Sequence, residues 1–217
     1  MKIRANDYDC EVSGVIKAIS PYNYLSGEMD GKIRIMDIVQ KPRNDDEKFR
    51  VFQRGRFHTH TQINSIIQGQ MKKQQDKIEG FPELDPSALE NDTYLFATSC
   101  GQIGQIQSIP KDTFYWLDYL EMIMSKEIKC LGDFDQLSFR MNDPKDDPYE
   151  KLELLNSHKL AKRFIDGDFL EVFESYNEDK KQSLIDKVNT YQTCEMTNYK
   201  VLTVDWIESI IKALKSI

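Results

Sequence analysis

Through the first half of the chain apolar residues come in short runs broken by turn residues; beyond about Pro110 they recur at spacings of three and four. The early runs are Gly14–Ile19, Tyr22–Ser26, Lys32–Val39, Arg50–Gln53 and Tyr94–Thr98. They are rich in Val, Ile, Tyr and Phe, residues that suit a pleated, half-buried strand. Ser20-Pro21, Met29-Asp30-Gly31, Lys41-Pro42-Arg43-Asn44 and Gly101 punctuate them. Asp30-Gly31 between two such runs predicts a hairpin whose turn needs positive φ.

The later pattern predicts helices. Lys111–Leu131 carries Phe114, Leu117, Leu120, Ile123, Met124 and Ile128, with Gly132 as its stop. Phe169–Tyr176 follows Asp166-Gly167-Asp168, where Gly167 supplies an unusual backbone conformation and Asp168 the N-cap. A third helix is expected over about Asp179–Tyr191. The last, Val204–Lys215, has Thr203 as N-cap and a stripe of Val204, Ile207, Ile210, Ile211 and Leu214 on one face. Asn142–Glu150, with its prolines and aspartates, reads as an exposed loop. The expected division is therefore β-structure over 1–110 and a helical domain over 111–217.

The β half contains an echo. Tyr24-Leu25 precedes Gly31-Lys32-Ile33 as Tyr94-Leu95 precedes Gly101-Gln102-Ile103, at an offset of 70 (101 − 31). The polar stretch 71–91 between the copies, with Lys72-Lys73-Gln74-Gln75, Pro82 and Pro86, looks like an inserted loop. Discounting about 20 residues for it leaves a period of roughly 50, that of a four-stranded propeller blade. On this ground alone a propeller and a β-sandwich both stand. About two blades would leave unpaired edges and an uncovered face, so other propeller segments are expected to complete the structure.

Composition narrows the function classes. With 40% hydrophobic and 11% aromatic residues the chain can pack a core. A net charge of −7 argues against gripping nucleic acid over a broad surface, which needs clustered Lys and Arg. No apolar run reaches the roughly 20 residues of a membrane span, and no secretory signal opens the sequence. Cys10, Cys100, Cys130 and Cys194 form no CxxC pair and read as free, mostly buried thiols of a reducing compartment.

Three places invite chemistry. His58 and His60, two apart on a strand, would share a face and could begin a metal site. No further ligand lies close in sequence, and the plainer reading has the rings satisfying backbone groups at a blade edge. Asp166 and Asp168 offer paired carboxylates for acid–base work or Mg²⁺, against their plainer use in starting a helix. Gly101-Gln102-Ile103-Gly104 lacks the third glycine of a dinucleotide fingerprint and reads as a tight strand turn. The acidic stretches at Asn44–Glu47 and Asp146-Asp147 read as solvated faces. No catalytic, cofactor-binding or metal-binding residue is expected.

Four stretches in a fixed order carry a family resemblance: Tyr24–Ile35 (YLSGEMDGKIRI), Gly55–Asn64 (GRFHTHTQIN), Phe96–Ile106 (FATSCGQIGQI) and Phe164–Phe173 (FIDGDFLEVF). Their anchors are Gly31, Phe57, His58, Asn64, Gly101, Ile103, Gly104, Asp166, Gly167 and Asp168. The chain resembles the carboxyl-terminal region of the triple-β-propeller scaffold family. Its members are the large subunits of damage-specific DNA-binding protein and of cleavage and polyadenylation specificity factor, and the propeller subunit of splicing factor 3b. The tail from Phe164 on resembles the damage-binding subunit most, whereas Leu137–Met141 is closer to the RNA-processing members. The family usually has glycine where this chain has His60, a departure expected to change the turn there.

The resemblance implies a β + α fold: a partial β-propeller of about two blades followed by a small helical C-terminal domain, which either pairs with other propeller segments or is a piece of a longer polypeptide. It implies a non-enzymatic protein–protein interaction scaffold without cofactor, working in a nuclear complex: on the damage-binding branch, as a cullin-type ubiquitin ligase adaptor in DNA repair. The alternative is a scaffold subunit of mRNA 3′-end processing or splicing with an RNA- or DNA-associated role. Expected partners are other propeller segments, cullin ligase components or pre-mRNA processing factors, with nucleic acid at most indirectly and no membrane. The expected location is the nucleus, with the cytoplasm second.

Overall fold

The computed structural model describes residues 12–38, 51–69, 93–128, 136–141, 164–195 and 201–215. The insertion at 71–91, the turn at 41–44, the acidic run at 44–47, the Gly132 stop, the 142–150 loop, His158, Cys10 and Cys130 lie outside these residues. The described chain forms β1 (Ser13–Ala18), β2 (Asn23–Glu28), β3 (Lys32–Ile38), β4 (Val51–His58), β5 (Ile63–Gln68), β6 (Thr93–Thr98) and β7 (Ile103–Gln107). The helices are α1 (Lys111–Glu127), α2 (Gln136–Met141), α3 (Gly167–Glu171, running on as a 3₁₀ turn over Val172–Ser175), α4 (Glu178–Glu195) and α5 (Val204–Lys215). They gather into two units: the two sheets with Phe139, Arg140 and Phe164, and the long helices with α3 and Gln136.

In the first unit β1-β2-β3-β4 make an antiparallel four-stranded blade, and β5-β6-β7 a three-stranded one. The two are copies in register as well as in outline. In the first blade Ser13 opposes Glu28, and the pairing slips between Ser13 and Val15; in the second Ile63 opposes Thr98, with the same slip between Ile63 and Ser65. The offset is 50 on the first strand (63 − 13) and 70 on the second (98 − 28). The extra residues therefore enter between β5 and β6, and the repeat beneath them is that of a blade. The hairpin turns match too. Gly31 (φ 94°) and Gly101 (φ 82°) both take the left-handed conformation, and the N–H of each donates to the carbonyl three residues before, Glu28 and Thr98, at 3.1 Å.

The strands Ile63–Gln68 and Ile103–Gln107 were not among the runs that the apolar pattern picks out. Asn64-Ser65 interrupts the first at the bulge, and Gly104 gives the second the look of a turn. Gly104 instead lies within β7. A Cβ there would sit 2.2 Å from Phe96 Cζ, so glycine makes room for an aromatic ring on the neighbouring strand.

In the second unit α1 buries Thr113, Trp116, Leu117, Leu120, Ile123 and Met124, spaced by three and four. They pack with Phe169, Leu170 and Phe173, with Leu184, Ile185 and Val188 of α4, and with Ile207, Ile210 and Ile211 of α5. The Trp116 and Trp206 rings meet edge to face at 4.9 Å. Helix α1 ends earlier than the pattern predicted, as Ile128 turns extended (φ −91°, ψ 110°). Helix α5 starts on Thr203, whose hydroxyl accepts from the Trp206 N–H at 3.3 Å. The Asn189 side chain clamps the approach to it, accepting from Leu202 N–H at 2.9 Å and donating to Leu202 C=O at 3.1 Å.

Candidate interaction surfaces

Strand register assigns every side chain of the sheets to one of two faces, because cross-strand partners point the same way. In the first blade Leu25 opposes Ile35, Gly27 opposes Ile33, and Ile33 opposes Phe57, which defines one face. In the second blade Ile66 opposes Phe96, and Tyr94 lies two residues away on the same strand. Leu25 and Ile33 cluster with Ile63, Ile66 and Tyr94, flanked by Val15, Ile35, Phe57, Phe96 and Ile106. The core of this unit is thus the Leu25 face of one blade against the Tyr94 face of the next. Gly27 sits at the closest approach, where a Cβ would lie 2.5 Å from Ile63 Cγ2.

The Tyr24 face of the first blade carries a polar network instead. Arg34 Nε donates to Glu28 Oε1 at 2.5 Å, Ser26 Oγ donates to the same oxygen at 3.2 Å, and the Ser13 and Ser26 hydroxyls share a hydrogen bond of 2.8 Å. Glu28 and Arg34 are both fully buried. The Leu95 face of the second blade, with Ile67 opposite Leu95 and Ala97 next but one, is open: Ile67 and Ile103 are exposed.

Around His58 the residues singled out by sequence do meet. Thr59 donates through both its N–H (2.9 Å) and its hydroxyl (2.8 Å) to Gly31 C=O, and a Cβ on Gly31 would crowd Thr61 N at 2.7 Å. The Phe57 ring packs on Phe164 with centroids 6.0 Å apart, and the Arg140 guanidinium lies 4.8 Å above it. His58 and His60 are not two residues of one strand. Strand β4 ends at His58, and His60 has φ 62°. His58 Nδ1 accepts from the His60 N–H at 3.0 Å, so this nitrogen is committed to the backbone. The His60 ring stacks on Phe139 at 3.9 Å. His60 itself takes a left-handed backbone, the region most open to glycine, and adds a stacked ring. Burial lowers the His58 pKa, aided by His60 and opposed by Asp30; burial and then the Arg140 charge lower that of His60. For Asp30 burial works upward, but hydrogen bonds from Lys32 and its charge outweigh it and bring the carboxyl below its usual value.

Asn64 stands exposed beside the bulge, and Cys100, in the β6–β7 turn, is a free and exposed thiol rather than a buried one. In the helical unit the cap of α3 is Asp166, not Asp168. Asp166 Oδ1 accepts from Phe169 N–H at 3.4 Å and Oδ2 from Gln136 Nε2 at 2.8 Å, while its own N–H donates to Glu121 Oε1 at 3.1 Å. Those partners start the helix one residue after Asp166 and leave Asp168 exposed in its first turn. Gly167 has no positive φ and a Cβ there would meet nothing, so it supplies no special conformation. Among the described residues no three His, Cys, Asp or Glu side chains converge on a metal-sized site.

Residues 15–175 match the family model described as "CPSF A subunit region". The chain belongs to this family. The two antiparallel sheets and the helices after them are a partial propeller followed by a helical region, as the family motifs imply. Among its relatives are DNA damage-binding protein 1 of Solanum lycopersicum, 24% identical over 183 residues, and DNA damage-binding protein 1a of Arabidopsis thaliana, 23% identical over 189. DNA damage-binding protein 1 of Drosophila melanogaster is 23% identical over 212 residues. These alignments cover 83%, 86% and 96% of this chain, but only 15%, 15% and 16% of the relatives' lengths. Their names agree with the branch that the tail from Phe164 resembles.

Proposed function

We propose that this chain is a non-enzymatic protein–protein interaction scaffold, a C-terminal portion of a propeller protein that serves a nuclear complex as a cullin-type ubiquitin ligase adaptor in DNA repair. The match of residues 15–175 to the family carries the proposal, and the names of the relatives direct it to DNA damage. The working division is a β-part, 1–110, and a helical part, 111–217. Two features support a scaffold. The Asp166 carboxylate is engaged in capping a helix and the His58 imidazole in a backbone hydrogen bond. The second blade also leaves apolar side chains in solvent, where a partner would cover them. The net charge of −7 disfavours broad contact with a nucleic acid backbone.

The test is affinity purification of the intact chain from the cells that make it, followed by mass spectrometry. Recovery of a cullin with its adaptor-bound receptors is expected. Recovery of splicing or 3′-end processing factors in their place would overturn the DNA-repair assignment, and a steeply salt-dependent affinity for free DNA or RNA would overturn the indirect role of nucleic acid.

A further inference from the structure

The turn after β4 is anchored on both sides of His60. Thr59 is tied to Gly31 C=O by its N–H and its hydroxyl, and the Thr61 hydroxyl donates to Gln102 Oε1 at 2.9 Å. Between these anchors His60 stands in the left-handed region (φ 62°), which costs an L side chain free energy. The bond that offsets this cost is the one from His60 N–H to His58 Nδ1, at 3.0 Å. The His60 ring in turn carries α2: it stacks on Phe139 at 3.9 Å and is hydrogen-bonded to the Phe139 backbone. Arg140 completes the contact, its guanidinium 4.8 Å above Phe57 and Nη1 donating to His58 C=O at 3.4 Å.

We infer that His58 is a proton switch: a proton taken up at Nδ1 abolishes the bond from His60 N–H and releases the Phe139–Arg140 segment from the end of β4. An accepting Nδ1 carries no proton, so the docked ring is neutral with its proton on Nε2. A solvent proton added to Nδ1 leaves two donors facing each other. No covalent bond to carbon changes; the imidazole becomes imidazolium, and the peptide between Thr59 and His60 must rotate away. That rotation swings the His60 ring, so its stack on Phe139 is lost with the bond. The His60 ring is not the trigger in this geometry. A proton there leaves the His58 acceptor untouched, and a cationic ring is attracted to the Phe139 face.

The surrounding groups set the direction of the response. Facing His58 are His60, with ring centroids 4.2 Å apart, Asp30 in the β2–β3 turn, Lys32 at the start of β3 and Arg140 on α2. Arg140 also faces His60. Asp30 favours a charged His58, but its carboxylate is paired with Lys32 Nζ at 2.8 Å. Burial above all, then His60 and Lys32, oppose that charge. The docked ring is therefore a weaker base than a free imidazole, and release restores its ordinary basicity. The form that binds protons more tightly gains population as the pH falls, so acid favours release. A cationic His58 would also repel the Arg140 guanidinium held at its own carbonyl.

The experiment places 4-fluorophenylalanine at position 139 alone, among the 11 phenylalanines of the full chain, by codon suppression. Its fluorine resonance is followed together with the His58 and His60 imidazole resonances from about pH 8 to about pH 5, which brackets the ordinary histidine value. The fluorine signal should move from a stacked to a solvent-exposed position with the midpoint of the His58 titration. The ratio of released to docked segment should rise by at most about tenfold per pH unit, as uptake of one proton requires. His58→Asn keeps an acceptor for His60 N–H without a titrating group, so its fluorine signal should stay docked throughout. His60→Asn tolerates the left-handed backbone but lacks the ring, and should read released at every pH. A pH-independent signal in the parent, a midpoint that follows His60 instead of His58, or an unaltered transition in His58→Asn would overturn the inference. So would a fluorine change that appears only as the far-UV strand signal is lost, since that is unfolding of the sheets. The parent titration decides alone if His58→Asn fails to fold.

Discussion

Replacing Gly27 with alanine tests the blade-on-blade packing where it is tightest. The added Cβ would lie 2.5 Å from Ile63 Cγ2, 2.8 Å from Ile63 Cβ and 2.9 Å from Val15 Cγ1. Carbon atoms rest at about 3.5–4.0 Å, so the shortfall against Ile63 is about 1 Å. A rotamer change of Ile63 moves Cγ2 but not Cβ, and the residue is fully buried. Strands β2 and β5 must therefore move apart. Overpacking of this kind costs about 1–3 kcal/mol. Alanine recovers about 0.5–1 kcal/mol over glycine in a strand by losing less chain entropy. The net expectation is a loss of about 1–2 kcal/mol. Ile63→Ala alone should cost about 2–5 kcal/mol. In the double variant the two losses should fall short of additive by about 1 kcal/mol, because Ile63→Ala removes the Cγ2 that the added Cβ meets and that Cβ fills part of the cavity left behind.

The assay is urea unfolding followed by two signals. Both tryptophans, Trp116 and Trp206, belong to the helical core, so their fluorescence reports that unit. Far-UV circular dichroism near the strand band reports the sheets. The expected change is in the strand signal. If Gly27→Ala unfolds at the same or a higher urea concentration than the parent, or if the double variant is additive, the packing of Gly27 against Ile63 is wrong.

Ile207→Asp, at a position with no solvent exposure, should cost about 3–5 kcal/mol and accelerate amide exchange along α5, because a carboxylate must be desolvated or protonated there. Asp166→Ala should lower stability by about 1–2 kcal/mol through loss of the cap and the Gln136 bond, whereas Asp168→Ala stays within about 0.5 kcal/mol; urea midpoints of the two separate them. His60→Val should be less stable than His60→Asn by about 1 kcal/mol, since a β-branched residue resists the left-handed conformation and asparagine tolerates it. Both His58 and His60 have folded pKa values below the unfolded 6.5, so the unfolded chain takes up protons first as the pH falls. Stability present above about pH 6.5 should decline as the pH falls below it, and the decline should flatten when both are replaced by glutamine; an equal slope in that variant would remove the histidines as its cause.

Much of the fold was legible because it is local. Runs of β-branched and aromatic residues mark five of the seven described strands, and spacings of three and four mark the long helices. Even the blade period could be extracted, since Tyr24-Leu25 and Gly31 recur as Tyr94-Leu95 and Gly101. Contacts between residues far apart in sequence were not legible. Gly104 looked like part of a turn because its reason for being glycine, the Phe96 ring, acts across a strand pair. Asp166 and Asp168 are equally plausible caps by composition, and the choice falls to Glu121 and Gln136, which lie 45 and 30 residues away. That two blades leave a face uncovered was legible, but which side chains line it was not. Ile33 and Ile103 are the same residue at the same register position, and only the covering layer tells them apart.

The offset that jumps from 50 to 70 between paired strands has a practical side. Gln68 and Tyr94 are direct register partners, so whatever runs from one strand to the other must leave and return at adjacent points, about 5 Å apart. A chain closed on itself in this way feels added length weakly, at about 0.6 kcal/mol for each doubling. The junction after β5 is therefore a natural splice point. An affinity tag, a protease site or a fluorescent reporter placed there would lengthen a closed loop without shifting the register of either strand. The same tolerance gives a lineage of such proteins a place to gain or lose segments while both blades stay in step.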